Sequence, residues 1–105
     1  MAVLNVTSAN FENEVLKTDA TVIVDFWASW CAPCRMMSPV IEEIAKDFPH
    51  VKVCKINVDE NPSIAEQYNV SSIPTILIIK NNDVVKQYVG VTDKFEIEKS
   101  INLLD

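Results

Sequence analysis

The stretch Thr21–Ala28, TVIVDFWA, limits the fold more than any other part of this chain. Apart from Thr21 and Asp25, every position is apolar, and β-branched and aromatic residues dominate. In a strand, successive side chains point to opposite faces, so a run like this is apolar on both. It is predicted as a central strand, buried on both faces.

The rest of the sequence supplies partners for such a strand. Val3–Val6 is a short strand candidate, and Phe11, Val15 and Leu16 suit one helical face with Ser8 or Asn10 as its cap. After the central strand, Met37, Val40, Ile41, Ile44 and Phe48 recur at helical spacing, with Glu42, Glu43, Lys46 and Asp47 opposite. Pro39 falls inside that pattern, so one kinked helix is expected rather than two. Val51–Val58 is a further strand, and Asn61-Pro62 opens a short helix with Asn as the cap. Thr75–Lys80 and Val84–Val89 are strands joined by the hairpin signal Asn81-Asn82-Asp83. Asp93 and Glu96 resemble a capping pair for a last helix whose face is Ile97, Ile101 and Leu104. The order β-α-β-α-β-α-β-β-α implies an α/β fold with a central mixed sheet flanked by helices on both faces. Gly90 is the single glycine, so backbone positions with positive φ fall to asparagines such as Asn69, Asn81 and Asn82.

One domain is expected over residues 1–105, because 105 residues with 49% hydrophobic and 23% charged side chains suit a single globular core. The net charge of -6 argues against nucleic acid and against anionic membrane surfaces as partners. No signal peptide is legible in MAVLNVTSANFENEV, and the longest apolar run, Ile76–Ile79, is too short to span a bilayer. A cytoplasmic protein is expected, where thiols stay reduced and disulfides are usually transient.

That expectation bears on Trp30-Cys31-Ala32-Pro33-Cys34, a tight cysteine pair in a chain with three cysteines. A structural zinc site commonly uses two such pairs, and Cys54 and the lone His50 do not form a second. As a staple the pair closes a tiny loop, worth only about 2 kcal/mol. A redox pair fits better. Cys31 sits where a strand ends and a helix begins, and Cys34 follows one turn later on the same face. The helix start favours the Cys31 thiolate, the reactive form. Pro33 suits a first-turn position, and Trp30 offers an apolar wall to a partner. Cys54, mid-strand, is expected to be a small buried hydrophobe.

Two charges interrupt apolar strands, Asp25 in VIVDFW and Lys55 in VCKIN. If their strands are neighbours, the two approach one another; alternatively, one or both lie at a strand end in water. Burial would raise the Asp25 pKa toward neutrality, which suits a general base, and Lys55 would oppose that rise.

The segment VDFWASWCAPC resembles the active-site segment of the thioredoxin family, and C-x-x-C beside a βαβ pattern is a recognised mark of it. The likeness continues through Pro39 in CRMMSPVIEEIA, then KINVDENP, SSIPTILIIKNND, and Gly90 in YVGVTDK. It covers essentially the whole chain. It implies the thioredoxin fold and protein-disulfide reduction in the cytosol, with a cis Ile73–Pro74 bond facing the cysteines. Trp30, Ala32, Pro33, Ile73, Pro74, Gly90 and Val91 match the family's substrate-docking rim, where the Ile73 backbone would pair with an extended client. Ala32 stands where the usual motif has Gly. Ser71-Ser72 precede Ile73 where Gly is usual, and Asn82 replaces a usual turn Gly.

The expected reaction is attack by the Cys31 thiolate on a client disulfide, followed by resolution by a more buried Cys34. Asp25 is the expected base, tuned by Lys55. The oxidised Cys31–Cys34 pair would be recycled by a thioredoxin reductase, linked to NADPH or to ferredoxin, in an electron-transport role that serves redox homeostasis. No bound cofactor and no metal are expected, and the protein is taken to be a monomer. Two alternatives stay open at this point: a thioredoxin-fold oxidase or isomerase, and a non-catalytic interaction module.

Overall fold

A computed structural model describes residues 3–104, so the expected 1–105 domain extends past the described residues at both ends. The elements follow the predicted order. They are β1 (Leu4–Asn5), a π-helical turn (Glu12–Leu16), β2 (Val22–Trp27), α1 (Ala32–Asp47) and β3 (Lys52–Asn57), then α2 (Pro62–Gln67), β4 (Thr75–Lys80), β5 (Asp83–Val89) and α3 (Lys94–Leu104). The strands form one mixed sheet in the order β1-β3-β2-β4-β5. β2 pairs parallel with β3 and antiparallel with β4, which makes it the hinge between the two halves of the sheet.

Side-chain alternation divides the interior into two cores. Val22, Val24 and Phe26 of β2 join Cys54, Ile56, Leu77 and Ile79 beneath the π-helical turn and α2. Ile23 points the other way and joins Val53, Ile76 and Ile78 beneath α1 and α3. Of the predicted α1 stripe, Met37, Ile41 and Ile44 are buried and Val40 and Phe48 half-buried; Cys34 and Ala45 are buried with them. Each fully buried isoleucine contributes about 2–3 kcal/mol, so the fold does not lean on a short disulfide loop.

α1 runs unbroken through Pro39. Pro39 has no N–H to give the Arg35 carbonyl, yet the packed stripe on either side keeps the winding. Asn69, Asn81 and Asn82 have φ of 56°, 51° and 70°, and Gly90 has 90°, so among the described residues the three asparagines named from the scarcity of glycine carry positive φ, with Gly90 as the fourth. The hairpin is tighter than the predicted three-residue signal. Asp83 already belongs to β5 and pairs with Lys80, which leaves Asn81-Asn82 as a two-residue turn with both φ positive.

Three local expectations are corrected. The first helix is a π-helical turn, closed by the Lys17 N–H donating to the Glu12 carbonyl at 2.8 Å. Apolar residues at 11, 15 and 16 tolerate either winding, so spacing did not discriminate. Neither Ser8 nor Asn10 caps it: Phe11 occupies the cap position without a side-chain bond, and Asn10 Oδ1 accepts from Thr7 N–H at 2.7 Å. Asn61 precedes Pro62 as expected but makes no cap bond to α2. Its Oδ1 instead accepts from Ser8 N–H at 3.0 Å, and its Nδ2 donates to the Asn57 carbonyl at 3.1 Å. The capping pair of α3 is half formed. Asp93 Oδ1 accepts from Phe95 N–H at 3.1 Å, while the Glu96 carboxylate pairs with Lys99.

The hairpin supplies a test. Asn82→Val places a β-branched side chain at φ 70° and should cost about 1–2 kcal/mol in urea unfolding. Asn82→Gly should stay within about 0.5 kcal/mol of the parent, since easier φ is offset by a looser unfolded chain.

Candidate active site

The end of β2 and the start of α1 build the centre of the site. Cys31, in extended conformation, is the N-cap of α1, and its Sγ accepts the Cys34 N–H at 3.2 Å. Ala32 and Pro33 occupy the first two helical positions, where a missing N–H breaks no intrahelical bond. The sulfurs of Cys31 and Cys34 are joined as a disulfide, with Cα atoms 5.3 Å apart. A charge developing on Cys31 Sγ thus meets a backbone N–H and the positive end of a sixteen-residue helix. The two cysteines are almost equally buried, 4% and 3% exposed, so burial alone does not separate attacker from resolver as the sequence suggests.

The segments that carry the expected rim positions lie beside the pair. Cys31 Sγ lies 3.9 Å from the Ile73 carbonyl oxygen, and Ile73 packs on the cluster of Ala28, Cys31 and Cys34. The Ile73–Pro74 peptide is cis. Antiparallel pairing of Phe26 with Thr75 explains the approach, because it sets the start of β4 beside the end of β2. Gly90 N–H donates to the Pro74 carbonyl at 2.8 Å, which ties the segment after β5 to the same corner. Trp30 and Val91 stand 68% and 53% exposed, and Ala32 and Pro33 are exposed beside them. All seven rim positions therefore lie on segments that converge on the cysteines.

Asp25 is buried on the sheet face that α1 covers, by the same alternation that turns Ile23 toward it. It is register partner to Lys55 across β2 and β3, so the two charged strands are neighbours. They do not form an ion pair among the described residues. Lys55 Nζ instead sits 4.8 Å above the Trp27 ring, and Asp25 Oδ1 has no hydrogen-bond partner among the described residues. Burial pushes the Asp25 carboxyl up to about 7, and the positive charge of Lys55 pulls against that rise.

Cys54 lies in the other core, under the π-helical turn and α2, and burial pushes its thiol up to about 12. It is a buried core residue of the opposite face, as expected. His50 is exposed in the loop after α1, its ring edge-on to Phe48 at 6.1 Å between centroids. Among the described residues no group of three or more His, Cys, Asp or Glu side chains is placed to hold a metal ion.

Two contributors escaped the sequence. Trp30 Nε1 donates to Asp59 Oδ2 at 2.7 Å, which fixes the exposed indole. Arg35 Nη1 donates to the Ser29 carbonyl at 3.0 Å and braces the loop before Cys31. The available signal for Asp59 was its place just past β3, since parallel neighbours such as β2 and β3 end at one edge of the sheet.

Comparison with known proteins agrees with this geometry. The family model described as Thioredoxin matches residues 2–103. The chain is 52% identical over 99 residues to the thioredoxin of Rickettsia bellii, covering 93% of this chain and 94% of that one. It is 54% identical over 97 residues to the thioredoxin of Chlorobaculum thiosulfatiphilum, covering 91% and 90%. With the thioredoxin of Porphyra purpurea it shares 47% identity over 103 residues, 97% and 96% of the two chains. Sheet order, cysteine pair and kinship together show that the chain belongs to the thioredoxin family and is a protein-disulfide reductase.

Proposed function

We propose that Cys31 is the nucleophile and Cys34 the resolver of this thiol–disulfide oxidoreductase. The observation that carries the assignment is the N-cap geometry: Cys31 Sγ, not Cys34 Sγ, accepts the helix N–H. The Cys31 thiolate attacks one sulfur of a client disulfide and expels the other as a thiolate, leaving a mixed disulfide. The Cys34 thiol gives up its proton, with Asp25 as acceptor, and its sulfur then attacks Cys31 Sγ. The second client thiol leaves, and Cys31–Cys34 is left oxidised by two electrons. A reductase returns it to the dithiol, which completes an electron-transport cycle. Asp25 is suited to the base role by its pKa near 7, and Lys55 acts on it through charge rather than through a bond.

Trp30, Ala32, Pro33, Ile73, Pro74, Gly90 and Val91 form the docking rim. The Ile73 carbonyl beside Cys31 is the anchor for an extended client segment, paired as an added strand. The whole chain, 1–105, works as one thioredoxin domain and as a monomer. The cytoplasm is its proposed setting, because repeated turnover needs a compartment that keeps thiols reduced. The reductase that recharges it is NADPH- or ferredoxin-linked. No helix among the described residues is long and apolar enough to cross a membrane.

Three outcomes test these roles. Cys34→Ser should accumulate mixed disulfides with protein clients, visible on non-reducing gels, and Cys31→Ser should not. Trapping that depended on Cys54 would remove Cys31 as the nucleophile.

Asp25→Asn should slow the resolving step about a hundredfold, the lower end of general-base effects, and spare the first attack. Stopped-flow kinetics with a protein disulfide would resolve the two steps.

The third outcome concerns stability. The folded pKa of Asp25, about 7, exceeds the ordinary aspartate value of 3.8, so the folded state holds the extra proton between them. Stability therefore falls as pH rises from about 4 to about 7, and the full cost remains above that. Asp25→Asn removes the cost. Urea unfolding should find the variant more stable by on the order of 3–4 kcal/mol at about pH 8, and little different near pH 4.

A further inference from the structure

We infer that Met37 is a positioning residue for client reduction: its thioether sulfur pins the Gly90–Thr92 segment beside the cysteine pair. The inference rests on the docking rim proposed above. It starts from one contact, the Thr92 N–H donating to Met37 Sδ at 3.3 Å. Met37 is fully buried on α1, one turn beyond Cys34, among Ile23, Ile41 and Ile76. Methionine in such a place is usually a gap-filler. Here its sulfur also serves as an acceptor for a backbone donor from another part of the chain.

The contact belongs to a short series of bonds that fixes the segment after β5. Gly90 N–H donates to the Pro74 carbonyl at 2.8 Å. Thr92 Oγ1 donates to the Gly90 carbonyl at 3.1 Å. Thr92 N–H then ends the series on Met37. The segment is thus held at Gly90 by β4 and at Thr92 by α1, with exposed Val91 between the two anchors. Gly90, at φ +90°, makes the bend that allows both, and a Cβ there would meet nothing within 4 Å.

The mechanical consequence follows from where Met37 sits. Cys31 caps α1, Cys34 lies in its first turn, and the sulfur acceptor lies in the next. The distance from Cys31 to Val91 is therefore set through one rigid element. A client that must touch both finds them already in register, so it need not order the segment itself. A small disulfide that reaches only Cys31 gains nothing from this. Leucine matches methionine closely in volume but accepts no hydrogen bond. Met37→Leu therefore removes the pin and keeps the packing.

The test uses the reduced protein, with insulin as a protein disulfide and dithiobis(nitrobenzoate) as a small one. Amide exchange by NMR reads the pin directly. In Met37→Leu, Thr92 should exchange about three- to tenfold faster, the span one hydrogen bond is worth, with Ile41 and Ile44 unchanged. The second-order rate constant with insulin should fall by a similar factor, about three- to tenfold, and the rate with the small disulfide should stay within about twofold. Thr92→Val leaves the core untouched and loses only the bond to the Gly90 carbonyl; it should shift the insulin rate in the same direction. Thr92→Ser keeps both donors and should behave as the parent.

Unchanged Thr92 exchange in Met37→Leu would overturn the pin. An equal loss with both disulfides would overturn the positioning role in favour of a merely structural one. Val91→Asp tests the rim independently. If it slows insulin while Met37→Leu does not, the inference fails and the rim stands. If neither variant slows insulin although Thr92 exchange rises, the rim itself is wrong and the inference fails with it.

Discussion

The site depends on β2 being paired on both edges with opposite polarity. Its parallel bond to β3 sets Asp25 level with Lys55, and its antiparallel bond to β4 sets Phe26 level with Thr75. Because β4 runs the other way, its first residues lie next to the last residues of β2. That is why Ile73 meets Cys31 across a large separation in sequence. A wholly parallel sheet would put the start of β4 at the far end. The same register leaves the end of β2 free to turn into α1, whose Cys34 N–H meets the Cys31 sulfur.

A tension runs through this arrangement. The sheet is best stabilised by apolar side chains on both faces, and β2 supplies them everywhere except at Asp25. A carboxyl there is costly when charged, and Lys55 offsets that cost only in part. The group would serve poorly if it were exposed, since its pKa would then lie far below the range in which a thiol gives up its proton. Stability and the proposed proton transfer therefore make opposite demands on one residue. The fold tolerates the conflict because two separate cores, one on each face, hold the sheet around it.

How much of this was legible in the sequence divides along a physical line. Features set by neighbours in sequence were readable. TVIVDFWA announced a buried central strand, the 37–41–44 stripe announced α1, and the lack of glycine pointed to Asn69, Asn81 and Asn82. The cysteine pair at a strand–helix junction carried its chemistry in its spacing. The facing of Ile73–Pro74 onto the cysteines came from family resemblance, since register between β2 and β4 is a long-range property. Features set by contacts between distant segments were not readable. Asn61 looks like a cap, yet its side chain is claimed by Ser8. Trp30 looks free, yet Asp59 holds it. Met37 reads as packing alone, and only its meeting with Thr92 gives its sulfur a second use. In each case a local preference was outbid by a partner far along the chain.

The scarcity of glycine also has a consequence outside the folded state. Among the described residues, three of the four left-handed positions are held by asparagine, and Gly90 alone has glycine's freedom. A chain with one glycine and five prolines samples fewer backbone conformations when it is unfolded. Less disorder is then given up when it folds, at the small expense of holding asparagine at positive φ. Some of this protein's stability therefore resides in no contact at all, but in the conformations its unfolded chain is denied.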